Sequence, residues 1–140
     1  MIKGNSYVYF ALTGEDFNPQ EITKQLEIEP SEAWRKGDKG KYNQSLKYSC
    51  WKISTKKGKE YFEIDKLVNE ILELLFEKID KINELKKKMG LKSVLEIVMD
   101  VDTNPEQSTP TLGHNLRTIE FLHKTRTETD VDIYRFNSSD

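Results

Sequence analysis

The sequence predicts an α+β fold: a mostly antiparallel sheet with a long amphipathic helix and two shorter helices packed on it. Three observations predict it. Residues 6–13 (Ser-Tyr-Val-Tyr-Phe-Ala-Leu-Thr) are aromatic and β-branched, and residues 93–101 alternate apolar and polar, so both read as strands. Between Ile64 and Met89 apolar residues recur at steps of three and four with no Pro or Gly, which reads as helix. Strand-type and helix-type segments follow one another without strict alternation, which favours helices packed on a mostly antiparallel sheet. With 140 residues, one domain over residues 1–140 is expected.

In chain order, the first strand places Tyr7, Tyr9 and Ala11 on one face and Val8, Phe10 and Leu12 on the other, so it is expected to be central. A short helix follows, with Asn18 as N-cap, Pro19 at the first helical position and Glu21 in the first turn. Ile22 and Leu26 form its buried stripe, and Pro30 prevents continuation. Residues 33–36 read as extended and 37–41 as a polar turn. Residues 47–55 form the next strand, with Ser49, Trp51 and Ile53 on one face and Tyr48, Cys50 and Lys52 on the other. Lys56, Lys57, Gly58 and Lys59 make a basic turn.

The long helical stripe is Ile64, Leu67, Val68, Ile71, Leu72, Leu75, Ile79, Ile82, Leu85 and Met89. It fits either one helix or two joined near residues 77–80. Gly90 stops it, and Lys86, Lys87 and Lys88 suit the negative end of the helix dipole. The strand at 93–101 is expected to be half-buried. A helix is expected over 112–124, with Leu116, Ile119, Phe121 and Leu122 as its apolar residues. The last strand, at 130–136, offers Val131, Ile133 and Tyr134 to the core, and residues 137–140 form a frayed tail.

Composition excludes several classes. No apolar run approaches the ~20 residues a membrane helix needs. One cysteine, Cys50, excludes an intramolecular disulfide framework and a cysteine-rich zinc module. The N-terminus lacks an apolar signal core, so a cytoplasmic location is expected. The net charge of -2 conceals an asymmetry: residues 1–30 sum to -3, 31–60 to +6, 61–89 to -1 and 90–140 to -4.

No catalytic constellation emerges, and no cofactor or metal is expected. His114 and His123 are nine residues apart and would face opposite ways on one helix. Two Asp-x-Asp elements, Asp100/Asp102 and Asp130/Asp132, read as solvated strand faces or ends, with a shared divalent cation as the alternative. Cys50, mid-strand beside Trp51, reads as a buried inert thiol.

The stretches Tyr-Val-Tyr-Phe-Ala-Leu-Thr-Gly (7–14), Asp-Phe-Asn-Pro-Gln-Glu-Ile-Thr (16–23), Ile-Glu-Pro-Ser-Glu-Ala-Trp-Arg-Lys-Gly-Asp (28–38), Cys-Trp-Lys-Ile-Ser-Thr (50–55) and Asp-Val-Asp-Ile-Tyr (130–134) occur in an ordered series. Together they resemble the DUF4279 family of small bacterial proteins, a domain of unknown function, over about residues 6–135. That resemblance implies no established activity. In size and style such proteins are similar to bacterial immunity proteins, an analogy of class.

The leading expectation is a non-catalytic interaction module, most concretely an immunity protein that binds and neutralises a cognate toxin, its acidic ends meeting a basic surface. The first alternative is a small-ligand or nucleic-acid binder. It would use Trp34, Arg35 and Lys36 with Asp38, Trp51, Asp132 and Tyr134, an aromatic wall beside a cationic fork. The acidic isoelectric point, about 5.8, counts against nucleic acid. The plain counter-reading makes both tryptophans core and pairs Arg35 with a surface acid. The second alternative is a metal-dependent enzyme built on the Asp-x-Asp pairs.

Overall fold

The computed structural model describes residues 5–58 and 62–139. Five strands form one sheet: β1 (Tyr7–Gly14), β2 (Glu32–Trp34), β3 (Ser49–Ser54), β4 (Lys92–Asp102) and β5 (Glu128–Phe136). Their spatial order is β2-β3-β1-β4-β5. The β2–β3, β3–β1 and β1–β4 pairs are antiparallel, and β4–β5 is parallel. The α+β class and the mostly antiparallel sheet are as the sequence predicts.

The helices are α1 (Pro19–Leu26), α2 (Ile64–Leu75), α3 (Ile79–Met89) and α4 (Leu116–Thr125). The long apolar stripe is therefore two helices joined by one 3-10 turn at Phe76–Lys78. No residue of that turn is buried, so tightening it there leaves Leu75 and Ile82 still in the core. Asn18 caps α1 by accepting from the Gln20 N–H at 3.1 Å. Asn115 caps α4 by accepting from the Thr118 N–H at 2.9 Å. Gly90 ends α3 at φ 64°, a conformation that a Cβ would strain.

All four helices lie against one face of the sheet. Val8, Phe10 and Leu12 of β1, Trp51 and Ile53 of β3, and Leu95, Ile97 and Met99 of β4 join the helix side chains in one core. Phe10 and Phe121 meet edge to face, with ring centroids 5.8 Å apart. The alternate residues of each strand point to the opposite face, which carries no helix among the described residues.

Four expectations are corrected. The strand at 93–101 is not half-buried: β4 sits between β1 and β5, and its residues 95–99 are buried on both faces. The buried stripe of α4 is Thr118, Phe121 and Thr125, whereas Leu116 (83% exposed) and Ile119 face solvent. Ile133 and Tyr134 are 59% and 60% exposed, and Val131 is exposed too: at this edge strand the helix layer leaves Val131 and Ile133 uncovered, and Tyr134 lies on the opposite face, which carries no helix among the described residues. The tail is pinned rather than frayed. Its Ser138 N–H donates to Asp102 Oδ1 at 3.1 Å, and Asn104 Nδ2 donates to Ser138 Oγ at 3.1 Å. Lys59 of the basic turn and the final residue of the tail lie outside the described residues.

Ser49 ties three segments together. It is fully buried, and its Oγ accepts the Phe17 and Lys36 backbone N–H groups, each at 3.0 Å. Ser49→Ala strands two backbone donors. It is expected to lower unfolding free energy by about 2–4 kcal/mol in urea titrations, with secondary structure retained in the folded baseline.

Candidate functional site

Strand register dictates what the bare face of the sheet displays. Tyr7, Tyr9, Ala11 and Thr13 of β1 are its central row. Cys50 and Lys52 of β3, and then Glu32 and Trp34 of β2, lie to one side. Val94, Glu96, Val98 and Asp100 of β4, and then Glu128, Asp130, Asp132 and Tyr134 of β5, lie to the other. The face thus divides into an aromatic–lysine half and an acidic half, with the tyrosines of β1 between them.

In the aromatic half, Trp34 meets Tyr48 edge to face at 5.6 Å between ring centroids. Lys52 Nζ lies 4.4 Å from the centroid of Tyr9 and 5.8 Å from that of Trp34, and pairs with Glu32 at 3.1 Å. Lys57 Nζ lies 5.1 Å from the centroid of Tyr7. The rings of Tyr7 and Tyr9 are 6.4 Å apart and roughly parallel. Cys50 is buried beneath this half, and burial pushes its thiol up to about 11, so it holds its proton at neutral pH.

In the acidic half, Glu96 on β4 stands opposite Asp130 on β5, and Asp132 follows two residues on, on the same face. One carboxylate oxygen from each lies within 4.8 Å of the others. Burial, then a hydrogen bond shared with the Asp130 carboxyl, then the charges of Asp130 and Asp132 push the Glu96 carboxyl up to about 7. The Ile97 backbone N–H pulls weakly the other way. Tyr9 is pushed up to about 12 by burial and by the charge of Glu96.

Sequence reasoning brought together residues that the structure separates. Trp51 lies on the helix face, fully buried, with Nε1 donating to Thr23 Oγ1 at 3.0 Å. Trp34 lies on the bare face, because β2 pairs Trp34 with Cys50 and Ala33 with Trp51. The two indoles therefore share no wall. Arg35 pairs with Asp16 at 3.1 Å, and Lys36 lies 4.0 Å from Glu15. Asp38 accepts the Arg35 N–H at 2.8 Å and closes its own turn. Asp132 and Tyr134 do share the bare face with Trp34, but at the opposite edge. Four strand spacings separate those edges, about 19 Å.

The two Asp-x-Asp elements share that face as well, yet they do not form a four-carboxylate site. Asp102 is held by turn geometry, accepting from Asn104 N at 3.0 Å and Ser138 N at 3.1 Å. Burial opposes its ionisation, but the bonds from Ser138 and Asn104 outweigh it and hold its carboxyl below the usual value. Asp100 Oδ2 accepts the Asn5 N–H at 2.6 Å. The acid that completes the Asp130/Asp132 pair is instead Glu96. Its signal in the sequence was a glutamate inside an otherwise apolar alternating strand.

The arrangement defines a class of domain: a single sheet clad with helices on one side and displaying rings and carboxylates on the other. The chain belongs to the DUF4279 family, whose family model, described as a domain of unknown function, matches residues 4–136. No curated protein and no solved structure matches it. No described helix is long and apolar enough to cross a membrane.

Proposed function

We propose that the chain is a non-catalytic binding module that docks a cationic protein partner on its bare sheet face, and that it acts as an immunity protein neutralising a cognate bacterial toxin. The observation that carries this reading is the composition of that face. Tyr7, Tyr9, Trp34, Tyr48 and Tyr134 lie on or beside the sheet, and the exposed Asp130 and Asp132 make no ion pair with the described residues. Tyrosine and tryptophan supply interface area at low entropic loss, and free carboxylates steer a basic partner.

The test is co-expression with the products of the flanking genes, followed by gel filtration and a growth assay for toxicity. A stable complex that suppresses toxicity is expected. The double variant Asp130→Lys/Asp132→Lys is expected to slow association by about tenfold or more at low salt, and Trp34→Ala to speed dissociation. Failure of every flanking product to bind, or binding unchanged in both variants, defeats the reading.

A further inference from the structure

Glu96 poses a problem that packing does not resolve. It is 8% exposed, its Oε2 accepts no hydrogen bond, and it points into a cluster with two further carboxylates. None of the ion pairs among the described residues involves Glu96, Asp130 or Asp132. A buried carboxyl with one oxygen unmatched and two like charges beside it is unfavourable as a carboxylate unless a proton or another cation joins it.

We propose that Glu96, Asp130 and Asp132 form a binding site for a hard divalent cation, of the Ca²⁺ or Mn²⁺ type, between β4 and β5 on the bare face of the sheet. Three features support it. All donors are carboxylate oxygens, the set that suits such ions rather than zinc or copper. Their mutual distances, within 4.8 Å, fit one ion, since oxygens bound to Ca²⁺ at about 2.3–2.6 Å stand at most roughly 5 Å apart. The donors are also rigidly presented. Glu96 and Asp130 are direct partners on a parallel ladder, and Asp132 is the next same-face residue of β5. Glu96 supplies the buried floor, while Asp130 and Asp132 are exposed, so the ion enters from solvent and keeps waters on its outer side. Mg²⁺, which binds at shorter distances and gives up water reluctantly, is expected to bind more weakly.

The cation site does not depend on a protein partner, and its test uses the chain by itself. Full-length protein stripped with EDTA at pH 8 is titrated calorimetrically with Ca²⁺, Mn²⁺ and Mg²⁺ in turn. One ion per chain is expected, with affinity weakened about tenfold or more in Glu96→Gln and in Asp130→Asn/Asp132→Asn, and unchanged in the remote control Glu106→Gln. Mn²⁺ is also expected to broaden the NMR resonances of Tyr9, Glu96, Asp130 and Asp132 in the parent protein, which locates the site without any variant. No saturable binding up to about 10 mM, parent-like binding in both carboxylate variants, or broadening centred elsewhere overturns the proposal.

Discussion

Trp51→Ala is expected to remove about 3–5 kcal/mol of unfolding free energy, whereas Trp34→Ala removes about 1 kcal/mol or less. Trp51 is fully buried between the sheet and α1, and its indole N–H is matched by Thr23 Oγ1. Truncation opens a cavity in the core and removes the indole's hydrogen bond, leaving Thr23 Oγ1 only its long contact with the Pro19 carbonyl. Small domains hold about 5–15 kcal/mol in total, so the loss takes a large share of it. Trp34 is half-buried, and its principal neighbours are the Tyr48 ring and the Lys52 ammonium. Removing it bares surface rather than opening the core. Urea titrations followed by far-ultraviolet circular dichroism, which does not depend on either indole, separate the two outcomes. Equal destabilisation by both variants would mean that the bare face is packed as a core. It would also remove the basis for assigning Trp34 to binding.

The two tryptophans show where sequence reading stops. Alternation sorts the residues of one strand into two faces, and it sorted β1 and β3 correctly: Trp51 shares its face with Ile53, and Cys50 with Lys52. It does not tie the parity of one strand to that of the next. Pairing does so, and the pairing of Trp34 with Cys50 sets the indoles on opposite faces. Edge position was equally illegible. Val131, Ile133 and Tyr134 look like core by composition, yet β5 has a neighbour on one side only, and Ile133 and Tyr134 stay exposed. The helical run from Ile64 to Met89 was legible because its stripe repeats over many turns, so local exceptions do not obscure it. The stripe of α4 was not. Only Phe121 of its named apolar residues is fully buried; two small threonines, Thr118 and Thr125, fill the rest of that face, while Leu116 and Ile119 sit outside. Of the residues named from the sequence for binding, Trp34, Asp132 and Tyr134 share the bare face. The acid that gives that face its chemistry, Glu96, was read only as one member of an alternating pattern.

Glu96 also makes folding stability depend on pH, in a direction opposite to that of most carboxylates. Its carboxyl is pushed up to about 7 in the folded chain by burial and by Asp130 and Asp132, from an ordinary value of 4.5. A group that binds its proton more tightly when folded stabilises the fold fully below its unfolded value. That contribution fades as pH rises through its folded value. In EDTA the protein is therefore expected to lose stability between about pH 5 and pH 8, by on the order of 2 kcal/mol. Asp102, held below its usual value by Ser138 and Asn104, works in the other sense and in a separate, more acidic window. Glu96→Gln keeps the shape of the side chain without the titrating charge, so it is expected to flatten the fall and to exceed the parent in stability at pH 8. Ca²⁺ is expected to do the same for the parent by supplying the missing positive charge, and to do little for Glu96→Gln. Thermal melts at matched ionic strength across this range, for both proteins with EDTA and with Ca²⁺, provide the measurement. A parent whose stability is flat or rising from pH 5 to pH 8 in EDTA would show that the three carboxylates do not crowd one another.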